Sequence, residues 1–303
     1  MNITAYYNTS EPLVYIPESY FIGDEEYSVY EVGGFNATNV EHVKLAEGIE
    51  SIYGHPINGA FAGAQNLVEV DLPESLTTIK DKAFSQTPRL TELYIPKNVQ
   101  RIERSILGEG GHVKNITVDK DNKIYEAIDG CLLGPYSLYS ANGKENEKIV
   151  LACNTNDALP DSVQDKNIVC IGTDACRQNH CTEITIPNTV KILENFAFFS
   201  CKNLKKVNLS SNVEEFGSGA FGYCENLESI TLPETLVQLS NHALVGSNLE
   251  EIIVPANVKN ISIEAFSKCK NLKKITFMGK PDKISWSILA DSGHEDGLEI
   301  YVA

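Results

Sequence analysis

Apolar residues recur along this chain in a repeat whose clearest marker is an alanine followed by a phenylalanine. The pair occurs at Ala60-Phe61, Ala83-Phe84, Ala197-Phe198, Ala220-Phe221 and Ala265-Phe266. Related pairs stand at Gly34-Phe35, Ser105-Ile106, Ala175-Cys176 and Ala243-Leu244. Outside an interruption after Val118, neighbouring copies lie 22 to 26 residues apart, and a regular period of this length is typical of a solenoid.

Each pair is followed by a short segment in which apolar and polar residues alternate, the pattern of a half-buried strand. Its apolar positions are, for example, Leu67/Val70/Leu72, Leu90/Leu93/Ile95, Leu204/Val207/Leu209, Leu227/Ile230/Leu232 and Leu272/Ile275/Phe277. A single coil of this length cannot bury its apolar side, whereas stacked coils can. The pattern therefore predicts a strand-rich solenoid with few regular helices. We expect the small alanine column to turn the chain and the phenylalanine column to fill the core.

Three segments carry a more specific motif: AFFSCKNLKKVNLS, AFGYCENLESITLP and AFSKCKNLKKITF. They resemble the BspA-like leucine-rich-repeat family, which is known from bacterial surface proteins and some protozoan ones. The resemblance covers roughly residues 30 to 280 and implies an α/β-type, right-handed leucine-rich-repeat superhelix with coils of 22–23 residues. It also implies a secreted or surface-anchored protein whose export signal lies outside this sequence. The N-terminal residues lack the basic start and apolar run of a signal peptide, so a cytoplasmic protein stays open.

The period breaks over residues 119–167, where IDGCLL and KIVLAC are interpreted as two strands joined by a polar turn. The family often carries such a hairpin with a similar signature, here Asn122, Tyr125, Asp129, Gly130 and Leu132. The insertion either continues or flanks the solenoid, or protrudes as a contact element. We expect an N-terminal cap at 1–33, repeats at 34–280 around this insertion, and a C-terminal cap at 281–303, together forming one structural domain.

Cysteine recurs at one column of the repeat, four residues after the alanine, at Cys201, Cys224 and Cys269. A catalytic residue occurs once, whereas a residue that follows the period is expected to be a small buried side chain. Cys201 and Cys224 lie in adjacent coils, so a disulfide between them stays possible.

The segment CIGTDACRQNHC has the composition of a zinc site, with Cys170, Cys176, His180 and Cys181 as candidate ligands. The repeat places Cys176 and Cys181 in columns that face the core, and Cys170 in a column that faces outward. Ligands that point in such different directions cannot form one tetrahedron. We therefore expect structural cysteines and no zinc.

The segment DKDNKIYEAIDG has two aspartates spaced as in a calcium loop, Asp119 and Asp121. Its sixth position is Ile124 rather than glycine, which excludes an EF-hand and leaves open a looser calcium site. The sequence contains no nucleophile elbow, zinc-protease motif or nucleotide-binding glycine loop in the right context. We therefore expect no enzyme activity and no cofactor, with a catalytic site in the insertion as the remaining alternative.

The composition is acidic, with 41 acidic against 25 basic residues and a net charge of −16. This balance argues against nucleic acids and anionic membrane surfaces as partners, because both attract a positive footprint. No apolar window approaches the length of a transmembrane helix, so we expect no membrane insertion.

If the apolar strand residues face inward, the residues between them form an outward face along the stack. Its predicted members are His42, Lys44, Glu69, Asp71, Glu92, Tyr94, Asn115, Thr117, Glu183, Thr185, Lys206, Asn208, Ser229, Thr231, Glu251, Ile253, Lys274 and Thr276. The first half carries an acidic patch, and the second half is rich in hydroxyl groups. The face is either a solvated sheet or the kind of extended recognition surface that solenoids provide.

We hypothesise a non-catalytic protein-binding or adhesion module. Its bacterial surface location and its host surface or matrix ligand follow from the family resemblance. The alternative is a surface carbohydrate-binding protein, although the outward face offers few aromatic rings besides Tyr94 for stacking sugars.

Overall fold

A computed structural model describes residues 2–6, 11–35, 39–54, 59–153, 159, 166–285, 287–292 and 297–302. The chain divides into two compact units, residues 1–134 and 135–303. Part of the predicted insertion lies outside the described residues. The predicted cap boundaries stay predictions.

The first unit is built from short strands. They are β1 (Asn2–Tyr6), β2 (Leu13–Ile16), β3 (Ser19–Ile22), β4 (Glu25–Gly33), β5 (His42–Leu45), β6 (Ser51–Ile52), β7 (Glu69–Asp71), β8 (Thr78–Ile79), β9 (Glu92–Ile95), β10 (Arg101–Ile102), β11 (Asn115–Val118), β12 (Glu126–Ile128) and β13 (Cys131–Pro135). Parallel sheets form in the orders β1-β4-β6-β8-β10, β2-β5-β7 and β9-β11, with β3 antiparallel to β4.

The second unit continues the pattern after a short 3₁₀ helix, Tyr136–Leu138. Its strands are β14 (Lys148–Cys153), β15 (Ile168–Ile171), β16 (Glu183–Thr185), β17 (Ile192–Leu193), β18 (Lys206–Asn208), β19 (Glu215–Phe216), β20 (Ser229–Ile230), β21 (Gln238–Leu239), β22 (Glu251–Val254), β23 (Asn260–Ile261), β24 (Lys274–Phe277), β25 (Lys283–Ile284) and β26 (Glu299–Val302). They pair in parallel as β14-β15-β17-β19, β16-β18-β20, β21-β23-β25 and β22-β24-β26.

The register of these sheets confirms the leucine-rich-repeat solenoid. In the first unit Thr78 pairs with Arg101, and in the second Glu183 pairs with Lys206, so each strand lies one repeat from its neighbour. Within the described residues no α-helix occurs, as the short strand-forming segments of the sequence predict.

The alanine and phenylalanine columns behave as the sequence predicts. In the first unit the fully buried rings of Phe61 and Phe84 stack at 5.4 Å, and in the second those of Phe198 and Phe221 stack at 5.1 Å. The backbone joins neighbouring turns as well, because the N–H of Phe198 donates to the carbonyl of Ala220 at 2.9 Å. The core is therefore a ladder of equivalent side chains, held on one side by strands and on the other by turns.

The cysteine column lies in the core and supplies hydrogen-bond donors. Cys201, Cys224 and Cys269 are free thiols and are fully buried. Each thiol donates to the backbone carbonyl of the phenylalanine-column residue one coil earlier, at 3.2 to 3.3 Å. A buried carbonyl is costly without a partner, so each of these three thiols satisfies an acceptor of the preceding coil. The disulfide that the sequence left possible between Cys201 and Cys224 does not form.

Two sequence interpretations were wrong. Cys170 was expected to face outward, but it is fully buried because β15 buries all four of its residues, so that both faces of this strand are covered. The segment IDGCLL is not one strand. Asp129 and Gly130, both with positive φ, form a tight turn that joins antiparallel β12 and β13.

Candidate ligand-binding face

The predicted outward face forms on the strands of each unit. In the first unit Lys44, Glu69, Asp71, Glu92, Tyr94, Asn115 and Thr117 are exposed and His42 is half-buried. In the second unit Glu183, Thr185, Lys206, Ser229, Thr231, Glu251 and Ile253 are exposed, and Asn208, Lys274 and Thr276 are half-buried. Strand alternation explains this placement, because the residues between them, such as Val43 and Ile252, are buried.

The face of the first unit includes two residues that the sequence reasoning missed. Leu13 and Tyr15 on β2 pair in register with His42 and Lys44, so they extend the same two outward columns. They are 69% and 58% exposed, which is unusual for large apolar side chains in a parallel sheet. The alternation of LVYI is the signal that could have found them.

The polar side chains of this face are partly hydrogen-bonded within the protein. His42 Nδ1 lies 3.0 Å from Glu69 Oε2. The carboxylates of Asp71 and Glu92 make no hydrogen bond or ion pair to any other described residue, so their charges are available to a ligand. An exposed carboxylate is well hydrated, and it attracts a cationic partner mainly through steering and specificity.

Tyr94 on the same face is fixed by a neighbouring carboxylate. Its hydroxyl donates to Asp119 Oδ2 at 2.5 Å. This hydrogen bond raises the pKa of Tyr94 to about 12 and lowers the pKa of Asp119, whose other oxygen accepts from the backbone N–H of Asp121. Both Asp119 oxygens therefore serve the fold, as expected of a structural turn more than of a cation site.

On the face of the second unit, side chains of neighbouring coils are joined by hydrogen bonds. Glu183 accepts from Lys206 at 2.8 Å and from Asn208 at 2.9 Å, and these contacts lower the pKa of its carboxyl. Further along, the Lys274 ammonium lies 5.1 Å from the centre of the Tyr301 ring. Tyr301 extends the outward column of Ile253 and was not among the residues the sequence indicated.

An open groove of about 820 Å³ runs beside these strands. It is lined by polar and charged residues, among them Glu228, Asn248, Glu251, Lys274 and Glu299. Lys273 in the same groove is paired with Glu250 at 3.3 Å. The groove widens the outward face on the side where β22, β24 and β26 begin.

The zinc-like segment is not gathered into a site. Cys170, Cys176 and Cys181 are buried, whereas His180 is exposed. Desolvation raises the pKa of the Cys176 thiol, so this group stays protonated. Across the described parts of the chain, no three His, Cys, Asp or Glu side chains are grouped so that they could hold a metal ion. None of the helices in those parts is long and apolar enough to cross a membrane.

Comparisons with known proteins point to the same repeat. A family model described as "BspA type Leucine rich repeat region" matches in six copies over residues 31–149 and 169–294. A leucine rich cell surface protein from Faecalibacterium prausnitzii is similar in structure with a TM-score of 0.66 and 23% identity, over 95% of this chain and 93% of that one. The pneumococcal vaccine antigen PcpA is similar with a TM-score of 0.62 and 19% identity, over 99% of this chain and 80% of that one. No curated protein matches the sequence.

Proposed function

This chain belongs to the BspA-type leucine-rich-repeat family, and from that premise we propose that it is a non-catalytic protein-binding or adhesion module. The outward face of its strands is the proposed binding surface, and a protein segment with basic residues is the proposed ligand. The observation that carries this proposal is the face of the first unit, where exposed Leu13 and Tyr15 adjoin a column with the unpaired carboxylate of Asp71.

Such a face has the makeup of a protein interface. Exposed apolar and aromatic side chains contribute most of the binding energy, and surrounding charges set specificity and association rate. The outward side chains lie away from the packed core, so a ligand can contact them without disturbing the fold. A place at a bacterial cell surface is part of the proposal, and it is supported by the surface protein from F. prausnitzii to which the fold is similar.

The experiment is a binding array of immobilised host matrix proteins and glycans, probed with the purified chain. We expect a protein to be bound, with an affinity that falls as salt is added because the face is acidic. The variant Asp71→Lys/Glu92→Lys should weaken this binding at least about tenfold, which corresponds to about 1.4 kcal/mol.

The matched control is Asp24→Lys/Glu50→Lys, which makes the same change of net charge at exposed positions away from the outward face. It should keep the affinity of the unmodified chain. An equal loss in both variants would attribute the effect to net charge and contradict the proposed face. Binding to glycans alone would contradict the protein ligand.

A further inference from the structure

One turn of the second unit carries an aromatic residue with a positive φ, where the backbone favours glycine. Tyr223, three residues after Ala220, has a φ of 54°. The equivalent residue one coil later is Gly246, with a φ of 68°. Bulky residues are rare in this left-handed region and cost conformational energy there. The same turn position also has a positive φ at Gln178, Ser200 and Lys268, so the turn does not require glycine. The large aromatic ring of Tyr223, and not its backbone conformation, distinguishes this coil.

The Tyr223 ring is held in place from several sides. It contacts the ring of Phe199 edge to face, with 5.3 Å between the centroids. A Cβ added to Gly246 would lie 3.1 Å from the ring, so the glycine of the next coil leaves the room that the tyrosine needs. The Tyr223 hydroxyl accepts from Lys268 Nζ at 2.9 Å. The ring is thus fixed before any ligand arrives, which reduces the entropy lost on binding.

Beside this ring lies a groove of about 420 Å³, which we call the turn groove. Its lining includes Tyr223, Glu225, Asn248, Lys268, Lys270 and Asn271. This volume lies within the range of roughly 300–1,000 Å³ that is common for small-ligand sites. The turn groove lies on the turns, whereas the proposed protein-binding face lies on the strands.

The polar groups of the turn groove suit hydroxyl-rich ligands. Asn271 donates to Asn248 Oδ1 at 2.5 Å. This bond leaves the amide N–H groups of Asn248 and the side-chain oxygen of Asn271 for a ligand. Sugar hydroxyls both donate and accept, and the C–H face of a pyranose packs on an aromatic ring. The Tyr223 ring can therefore pack against a pyranose, while Asn248 donates hydrogen bonds to its hydroxyl groups and Asn271 accepts them.

The positive charge of two lysines in the turn groove favours sugars that carry a carboxylate. The chain has a net charge of −16, yet Lys268 and Lys270 both line this groove. Lys270 has no hydrogen bond or ion pair to any other residue in the described ranges, and Glu225 is paired with Lys202 at 3.4 Å. A ligand carboxylate would give the Lys270 ammonium a charge-assisted hydrogen bond that the protein does not provide, and it would give Lys268 an anionic acceptor in addition to the Tyr223 hydroxyl.

We infer that the turn groove is a second binding site and that it takes a short acidic glycan. A pyranose ring packs on Tyr223, its hydroxyls bond to Asn248 and Asn271, and its carboxylate meets Lys270 and Lys268. This site shares Asn248 with the groove beside the strands of the second unit. The protein-binding proposal is tested at Asp71 and Glu92 of the first unit, which line neither groove, so each proposal can fail without the other.

The test is titration of the whole chain with 3′-sialyllactose, trigalacturonate and neutral lactose, followed by ligand-observed NMR and calorimetry. We expect saturable binding of at least one acidic probe and binding of lactose that is at least about tenfold weaker. Absence of binding by both acidic probes would overturn the site. Lactose binding as tight as that of the acidic probes would overturn the acidic assignment.

Variants locate the site. Tyr223→Gly removes the ring but keeps the turn, since glycine occupies this position in the next coil, and Lys270→Gln removes the unpaired charge. Each should weaken binding of the acidic probe about tenfold, or about 1.4 kcal/mol. The control is Ser200→Gly, at the same turn position with a φ of 60° in the preceding coil. Unchanged binding by Tyr223→Gly, or an equal loss in Ser200→Gly, would refute the turn groove as the site.

Discussion

Substitution of Cys224 can show whether its thiol stabilises the fold by donating a hydrogen bond or only by filling space in the core. Cys224 is fully buried, and its thiol lies 3.2 Å from the carbonyl oxygen of Phe198. No other described residue donates to that oxygen. Among equivalent positions, Thr87 donates to the Phe84 carbonyl of its own coil, Ser247 lies 3.2 Å from the Cys269 sulfur, and Ala64 has no side-chain donor, so the hydrogen bond to the preceding coil is a feature of the cysteines. We therefore expect Cys224→Ser to be tolerated much better than Cys224→Ala.

The magnitudes follow from the contacts. Cys224→Ala leaves a buried carbonyl without a partner, which costs about 1–3 kcal/mol. The small void left by the sulfur adds about 1 kcal/mol. Cys224→Ser keeps a donor and loses little volume, so its cost should stay near 1 kcal/mol. The two variants should thus differ by about 1–3 kcal/mol in the free energy of unfolding.

Denaturant unfolding of the three proteins measures this difference, provided that the slope of the transition is unchanged. Exposed Ser229 lies in the same coil, and Ser229→Ala is the control, with an expected change within about 0.5 kcal/mol. If Cys224→Ser lost as much stability as Cys224→Ala, the apolar bulk of sulfur and not its hydrogen bond would account for the column. The reasoning would then be refuted.

Three further predictions concern other features of the fold. Burial raises the thiol pKa of Cys176, Cys201 and Cys269, so these thiols should resist alkylation at pH 9 until the protein is unfolded; rapid labelling of the native chain, read by mass spectrometry, would contradict this. The raised pKa of Tyr94 favours its neutral form in the folded protein, so the stability from its bond to Asp119 is present below pH 10 and is lost as the pH rises through about 12. In an ultraviolet titration, Tyr94→Phe should reduce the absorbance change near pH 12 by that of one tyrosine, beside any contribution of Tyr27 and Tyr301, whose pKa values are also raised; an unchanged amplitude would refute the assignment. In Gly217→Ala the new Cβ would lie 2.4 Å from the backbone N of Asn195, so we expect a loss of about 3 kcal/mol in thermal or denaturant unfolding, and an unchanged midpoint would show that the turn relaxes freely.

The sequence predicts well the burial and direction of residues that occupy a repeated column. The burial of Phe198, the burial of Cys224 and the outward direction of Glu69 all follow from their columns, because a residue in a stack shares its surroundings with its equivalents one coil away. The family resemblance adds the type of repeat. The comparisons confirm that type, which the columns alone leave undefined.

The sequence predicts less well where one coil differs from its neighbours. Cys170 occupies an outward column, yet β15 is covered on both faces, and strand periodicity cannot show what covers a particular strand. Leu13 and Tyr15 precede the first clear repeat, so no column led to them. The turn groove depends on the Tyr223 ring lying beside Gly246 of the next coil, which has no side chain to collide with it. This fit between two adjacent coils can be recognised only in the three-dimensional structure.

The parallel register of the strands has a consequence for how such a protein diverges. Glu183 and its register partner Lys206 are exposed, whereas Ile184, the next residue of the same strand as Glu183, is buried. Substitutions at outward positions leave the core ladder untouched, so ligand preference can drift at nearly neutral cost to stability. Descendants of one ancestral chain could thus acquire different ligands coil by coil while keeping one architecture. In such a lineage the shared fold would reflect common ancestry, and the outward columns would reflect the ligands bound.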